Sequence, residues 1–461
     1  MTSWMPDRAS LTRPAYLSLA EQLAQAIRRG DLAAGERLLP QRQLAHRLDL
    51  SLQTVSRAYE ELIRRGLIAG AVGRGSFVLP AAAETRPPYL VQRSGEVVDL
   101  SILKPVTDRL HVERMREGLI WLAQNMPPQD ALSFRPNSIM PPHQHVASDW
   151  LAQGGIDASP DRIVITDGAT PAISTAVMTA VPPGGTLAAA HLTHHLLMPL
   201  ARYLGLQLEP LAVDDHGVVP ASLDRAARRG GLRAVYLQPA AINPRAVLSP
   251  ADRRAEIVEV ARRHDLTIIE NDVLNALIVD RPPPYAALAP ERVLHVSGFT
   301  KITLPGLRLA YLVVPERLAT AAANRHLVTN WVATPVMVEL LSHWLTDGTV
   351  AELIGWQRGA LAERHALAAQ MLAGLPFRAH PQSLHLWLEL PPDAPEDDFV
   401  ALAHSRGVAV ASGRAFRLNE RSGGGAVRIA LGSADMGQLR HALGVISGMM
   451  ARTVEPILPM I

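Results

Sequence analysis

The sequence predicts an α/β main domain, with a mostly parallel sheet carrying helices on both faces. A smaller α+β lobe lies at its C-terminal end, and a compact helical unit with a β-wing precedes it. Three observations carry this reading. From about residue 99, strand-like runs (RIVITDGA, TLAAAH, AVYLQPA, LTIIEND, RVLHVSG, LRLAYLVV) alternate with helix-like segments, the rhythm of βα units. After about residue 350, a long helical stretch leads to LHLWLELP, GVAVASG and VRIALG, which places the small lobe at about 350–461. Residues 14–79 have a helical period that gives way to two short β-like runs.

Within the first unit, PAYLSLAEQLAQAIRRG sets Leu19, Leu23, Ala26 and Ile27 at helical spacing and ends at Gly30, a C′ residue. QRQLAHRLDL predicts a short amphipathic helix with Leu44, Ala45 and Leu48 inward. Ser51 stands at the N-cap of LQTVSRAYEELIRRG, whose stripe is Val55, Ala58, Tyr59 and Leu62. LIAG and GSFVL flank AVGRG as a hairpin. The unit spans residues 1–80. Residues 81–98 (AAAETRPPYLVQRSGEVV) have two prolines and no period, and read as a linker; residues 99–461 are the main domain.

Composition narrows the function. The 461 residues make roughly two to four structural units. There are no cysteines, which excludes disulfides, thiolate metal sites and cysteine nucleophiles; no metal site is expected. No run of eighteen apolar residues predicts a membrane span, and MTSWMPDRASLTRP lacks the pattern of a signal peptide. A cytoplasmic protein is the expectation. Residues 1–80 carry 11 Arg against 7 Asp+Glu, a net of +4 within a chain of +2. Positive charge gathered at one end points to a nucleic-acid partner.

Lysine usage points to chemistry. The chain has two lysines, Lys104 and Lys301, among 45 basic residues. Arginine cannot replace lysine where a primary amine must react with an aldehyde. Lys301 sits in VSGFTKITLPGLRLAY, with Arg308 seven residues on. An amine and a fixed cation at this distance suit a phosphorylated aldehyde, pyridoxal 5′-phosphate (PLP).

RLLPQRQLAHRLDLSLQTVSRAYEELIRRGLIAGAVGRGSFV resembles the winged helix-turn-helix of GntR-type bacterial regulators. The resemblance implies that the helix starting at Ser51 enters the major groove of double-stranded operator DNA. Gln53 and Thr54 then read bases, with Arg57 one turn on. Arg42 contacts phosphate, and the wing tip Arg74-Gly75-Ser76 approaches the minor groove or the phosphates.

Residues 99–461 resemble fold-type I PLP enzymes of the aspartate aminotransferase kind, so the whole chain resembles a MocR-type regulator. FTKITLPGLRLAY supplies Lys301 as Schiff-base lysine, forming an internal aldimine, and Arg308 as phosphate ligand. TDGAT places Gly168, Ala169 and Thr170 at a helix start facing the phosphate. In AINPRAVLSP, Asn243 is the donor to the phenolic oxygen. In HLTHH, His194 takes the place of the stacked aromatic, and in VRIALG, Arg428 grips an α-carboxylate. Several positions depart from the family. The usual Ser or Thr before the lysine is Gly298, for which Thr300 or a backbone amide compensates. The acid that keeps the pyridine nitrogen protonated falls on Asn271 or, beside it, Asp272. The tyrosine position is Val273 or Leu274, and the usual Thr-Gly of the asparagine loop is Arg245-Ala246.

These departures imply that turnover is not the domain's main task. The reading is a PLP-dependent DNA-binding regulator that senses PLP, an amine or an amino acid, working as a head-to-tail homodimer. Two alternatives stay open: an active aminotransferase that also binds DNA, and a PLP-free ligand-sensing or dimerisation domain on a DNA-binding head.

Overall fold

The computed structural model describes residues 4–29, 31–33, 35–64, 67–71, 75–78, 97–133, 135–418 and 424–451. It separates into two compact units, Met1–Gln92 and Arg93–Ile461.

Among the described residues, the first unit has three α-helices and a two-stranded wing. Helix α1 (Ala15–Arg29) and α2 (Gln41–Leu48) pack with α3 (Leu52–Arg64). The expected apolar stripes are the core: Leu19, Leu23, Leu44, Leu48, Val55, Tyr59 and Leu62 are all buried. Helix α2 stops where Asp49 turns left-handed at φ 48°. Ser51 caps α3, its Oγ accepting from the Thr54 amide at 3.0 Å. The buried Tyr59 hydroxyl donates to the Leu39 carbonyl at 2.7 Å, so its burial leaves no polar group unmet. Strands β1 (Ile68–Ala71) and β2 (Gly75–Val78) are antiparallel, with Ala71 opposite Gly75. Arg74 at the wing tip, Gly30, and all of the linker up to residue 96 lie outside the described residues.

The second unit opens with the two-residue strand β3 (Val98–Asp99). Helices α4 (Arg109–Asn125), α5 (Pro128–Leu132) and α6 (Pro136–Gln153) follow. Then comes the expected alternation: β4 (Ile163–Thr166), α7 (Ala169–Ala180), β5 (Thr186–Ala190), α8 (Leu197–Tyr203) and β6 (Gln207–Leu211). A small ribbon, β7 (Val213–Asp214) with β8 (Gly217–Val218), precedes α9 (Pro220–Arg228). The series ends with β9 (Leu232–Leu237), α10 (Ala251–Arg263), β10 (Thr267–Asn271), α11 (Tyr285–Leu288), β11 (Val293–Gly298) and β12 (Ala310–Val313).

Seven of these strands form one sheet in the order β4-β12-β11-β10-β9-β5-β6. Only β12 runs antiparallel to its neighbours. Both faces are covered, which is why the strands read as continuous apolar runs. On one face Ala172, Ala176 and Val177 of α7 meet Tyr236, Ile269, Leu294 and Val296. On the other, Ile257 and Ala261 of α10 join Val235, Ile268 and Val293. Helices α12 (Ala319–Asn330) and α13 (Pro335–Thr346) complete this part.

The small lobe starts with α14 (Thr349–Met371) and contains β13 (Phe377–Ala379), β14 (His385–Glu389), α15 (Glu396–Ser405), β15 (Val408–Ala409), β16 (Ala411–Ser412), β17 (Ala426–Ala430) and α16 (Met436–Ala451). Its antiparallel sheet runs β13-β14-β17-β16. One feature differs from the expectation. Val98, the last residue assigned to the linker, begins β3, which pairs in parallel with β15. The Ala430 amide also donates to the Leu100 carbonyl at 2.8 Å. The chain therefore enters the main domain through the small lobe, over 300 residues away in sequence.

Candidate cofactor site and DNA-reading face

The site lies at the C-terminal ends of the central strands, where βα turns leave backbone and side chains free of the ladder. At the β4–α7 turn Gly168 has φ +103°, which only glycine adopts readily. A Cβ there would stand 3.2 Å from Arg308 Nη2. The guanidinium therefore rests against this turn, at the start of a twelve-residue helix. The first amides of α7, those of Ala169 and Thr170 among them, have no intrahelical partners. An arginine and a helix N-terminus side by side make an anion site. Thr166 Oγ1 holds the turn from behind, donating to the carbonyls of Gly168 (3.0 Å) and Ala310 (3.2 Å).

Gly298 ends β11. A Cβ on it would meet Val273 Cγ1 at 3.1 Å and Ala169 Cβ at 3.6 Å. Val273, not Leu274, is thus the residue beside the anion site; Leu274 is buried in the core on the other face. No hydroxyl stands at either position. The Thr300 hydroxyl is buried without a hydrogen-bond partner, the kind of group a bound oxyanion satisfies.

Lys301 follows directly. Its Nζ donates to the Leu103 carbonyl. Burial, then the positive charges of Arg428 and Arg308, lower its pKa to about 8. His194 is in the same field: burial holds its imidazole well below the usual range, helped by the charges of His195, Lys301 and Arg428. The two histidine rings are tilted, with centroids 4.8 Å apart.

Arg428, on β17, is 3% exposed. It donates to Asn243 Oδ1 at 2.9 Å and to the Ser101 carbonyl at 2.6 Å. Its guanidinium lies 4.8 Å from the Phe416 ring centroid. Its Nε is buried without a partner, and among the described residues no carboxylate pairs with it. Burial alone pushes its pKa down to about 10. A buried arginine held by neutral groups is costly unless an anion joins it.

At the end of β10, strand alternation separates the two residues left open by the sequence. Asn271 lies opposite Val296, on the α7 face, and its Nδ2 donates to Tyr236 Oη at 2.6 Å. Its Oδ1 is buried without a partner. Asp272 points to the opposite face, where Arg281 donates to it at 3.0 Å, near Glu270 and His295. The placement of Asp272 in the site is therefore corrected: it shares a face with Glu270, whose carboxylate accepts the Tyr285 and Ala286 amides.

The structure thus brings Gly168, Ala169, Thr170, His194, Asn243, Asn271, Thr300, Lys301, Arg308 and Arg428 into one region. Sequence reasoning missed Tyr236, which reads as a plain core strand residue, and the backbone of residues 101–103, which no residue type signals. The residues fit PLP. A phosphate cradle with Arg308, an orphaned hydroxyl at Thr300, an orphaned amide oxygen at Asn271 and an amine of depressed pKa answer its phosphate, its ring and its aldehyde.

In the first unit, Arg42 and Gln53 are exposed at the starts of α2 and α3. Thr54 is only half-exposed, and its Oγ1 shares a 2.8 Å hydrogen bond with Ser51 Oγ. Arg57 is exposed, but its guanidinium stacks 4.0 Å over the Tyr16 ring. At the wing, a Cβ on Gly75 (φ +104°) would fall 2.8 Å from Arg37 Nε. Arg37, not anticipated from the sequence, therefore adds a cation beside the wing.

Comparison with known proteins agrees with both halves. Residues 131–446 match the family described as "Aminotransferase class I and II". Residues 15–78 match "Bacterial regulatory proteins, gntR family". The chain is 26% identical over 445 residues to the pyridoxine biosynthesis transcriptional regulator PdxR of Corynebacterium glutamicum (93% of this chain, 94% of that one). It is 29% identical over 416 residues to the vitamin B6 salvage pathway transcriptional repressor PtsJ of Salmonella typhimurium (88% and 91%). Among solved structures, a Pyrococcus horikoshii kynurenine aminotransferase superposes with a TM-score of 0.71 at 19% identity, covering 77% of this chain and 91% of its own. The chain belongs to the aminotransferase class I and II family and, with its gntR-type winged helix in front, has the domain organisation of a MocR-type regulator.

Proposed function

We propose that the protein is a DNA-binding transcriptional regulator whose aminotransferase-like domain reports PLP, or an amine or amino acid held with it, to the winged-helix head. The observation that supports this most is a double tether. Lys301 and Arg428, the two cations suited to a ligand's aldehyde and carboxylate, both donate to backbone carbonyls of residues 101–103. This segment directly follows the linker. It is bound to the small lobe through β3, through Leu100 and through Asp99, whose carbonyl accepts from Ser433 Oγ.

Bound PLP supplies an electrophilic aldehyde carbon and a ring able to delocalise negative charge. The chain's own residues do the rest. Arg308 and the start of α7, with Gly168, Ala169 and Thr170, take the phosphate, and Thr300 adds a hydroxyl. His194 covers the ring. Lys301 offers an amine that is partly neutral near physiological pH. Arg428 takes an effector's carboxylate, and Asn243, whose Oδ1 accepts from Arg428, would donate to the phenolic oxygen. When Lys301 Nζ engages a ligand, it leaves the Leu103 carbonyl. A carboxylate at Arg428 competes with the Ser101 carbonyl. Both events loosen the segment that leads to the linker, and regulation requires only that the ligand favour one arrangement.

Asn271, facing the ring where the enzymes have an acid, cannot hold a pyridine nitrogen protonated as a carboxylate does. With Val273 and Gly298 lacking hydroxyls, this favours binding over turnover. The intact Arg428–Asn243 pair favours a second reading, a working aminotransferase, and turnover of amino acids at ordinary enzyme rates would establish it. The vitamin B6 assignments of two relatives support PLP itself as the signal. Helix α4 exposes Val112, Leu119 and Ile120 on one side, an apolar face that a second copy would cover. We take the working form as a cytoplasmic, head-to-tail homodimer whose two heads read two operator half-sites. Among the described residues no helix is long and apolar enough to cross a membrane.

The test is borohydride reduction of PLP-saturated protein followed by peptide mapping. The pyridoxyl label is expected on Lys301, and finding that residue unmodified would overturn the cofactor role.

A further inference from the structure

Away from the cofactor site, three side chains from three helices converge without touching. Asp130 is on α5, His143 on α6 and Glu339 on α13. His143 Nε2 stands 3.8 Å from Asp130 Oδ2 and 3.6 Å from Glu339 Oε2. The ligating atoms of the three lie within 4.8 Å of one another. The Asp130 and His143 side chains are only 4% and 5% exposed.

These distances are too long for hydrogen bonds. Among the described residues no donor is hydrogen-bonded to the Asp130 carboxylate, and neither carboxylate pairs with a lysine or arginine. A buried carboxylate is normally paired or bound to a metal. Ligand atoms around a tetrahedral zinc, each about 2.0–2.2 Å from it, lie about 3.3–3.5 Å apart. The two separations from His143, 3.6 and 3.8 Å, exceed this by a few tenths of an ångström, and the Asp130 and Glu339 oxygens lie within 4.8 Å of each other, so binding draws the two carboxylates together.

The far nitrogen of the imidazole is also engaged. His143 Nδ1 is 2.8 Å from Ser342 Oγ. That contact fixes the ring so that Nε2 faces the carboxylates, as outer partners of ligating histidines do. Ser342 lies three residues after Glu339, on the same side of α13. The other buried acid–histidine group, Glu270, Asp272 and His295, is different. There Arg281 pairs with Asp272, and the Tyr285 and Ala286 amides, with His295 Nδ1 at 2.8 Å, engage Glu270.

We propose that Asp130, His143 and Glu339 form a mononuclear site for a divalent transition metal of the zinc class, with water as fourth ligand. Imidazole selects such ions over magnesium. The metal joins α5 and α6 to α13. Next to His143, Gln144 donates to the Ile163 carbonyl at 2.7 Å, so the same staple steadies α6 against the first strand of the large sheet.

The test uses untagged full-length protein, stripped with a chelator and titrated with zinc or magnesium chloride by calorimetry, with metal content read by mass spectrometry. One zinc per chain is expected, with magnesium far weaker. Glu339→Gln should weaken zinc at least 100-fold, and Ser342→Ala about 10- to 100-fold. Zinc should raise the melting temperature of the unsubstituted protein but not of Glu339→Gln. Absence of stoichiometric zinc binding overturns the proposal. So does zinc affinity unchanged by the substitutions, which would put the ion elsewhere. If Glu339→Gln does not fold, Ser342→Ala decides alone, since it removes only a hydroxyl.

Discussion

Lys301 gives a prediction that can be worked to a number. An ordinary lysine, with pKa near 10.5, is neutral in about one molecule in a thousand at pH 7.5. A pKa of about 8 makes about a quarter of the amine neutral at that pH. The site thus holds roughly 200 times more nucleophile than a surface lysine. The assay is the rate at which cofactor-stripped protein captures PLP, followed by its visible band from pH 6.5 upward, with a free amine as control. The rate should rise with a midpoint near 8, well below the control's value near 10.5. Burial is the largest cause of the depression and Arg428 the next. Arg428→Met should therefore raise the midpoint while leaving it below 10.5. A midpoint at the control value would refute the reasoning. The stability linkage has a definite sign. Between about pH 8 and 10.5 the unfolded chain binds more protons at this group than the folded one. The contribution of Lys301 to stability therefore rises with pH across that window, and its full cost is present below it.

Three further outcomes are expected. Asn271→Asp should place a carboxylate on the α7 face and raise the pyridine nitrogen's pKa by about 1–3 units. Half-reactions with amino acids should then quicken at least tenfold, and unchanged rates would mean that Asn271 is not beside the ring. Gly168→Ala forces a φ of +103° on a residue with a Cβ and crowds Arg308. At a strain of about 1–3 kcal/mol, PLP binding measured by fluorescence titration should weaken at least fivefold. Arg42→Ala should reduce operator affinity across all sequences and flatten the salt dependence by about one unit of slope, read by anisotropy over a range of potassium chloride. A change confined to base preference would contradict a phosphate contact.

Much of this molecule was legible from local signals. The βα alternation follows from strands buried on both faces. The Ser51 cap and the Gly168 turn each mark a helix start by residue type, and Lys301 stands out because lysine is otherwise almost absent. What stayed hidden depends on distant partners. Val98 and Asp99 carry no strand pattern of their own; they are a strand only because Val408 and Ala409 are there to pair with. Ser101 and Leu103 contribute carbonyls, which every residue has. Asn271 and Asp272 were inseparable in sequence because adjacent residues point to opposite faces, and only Tyr236 and Arg281 reveal which faces which. The sequence puts Arg57 one turn on from Gln53 and Thr54, but its contact with the Tyr16 ring of α1 depends on a partner about 40 residues away. Asp130, His143 and Glu339 are spread over more than 200 residues, outside any metal-binding spacing.

The central claim is that the ligand state at Lys301 reaches the DNA-reading head. The most direct measurement is the affinity of the full-length protein for DNA upstream of its own gene, with and without saturating PLP, beside Lys301→Ala. A coupling of about 1–3 kcal/mol is about 5- to 150-fold in affinity. The account predicts a change of at least fivefold in the unsubstituted protein and none in the variant. Equal affinities with and without PLP in the unsubstituted protein would contradict it, as would an identical PLP response in the variant.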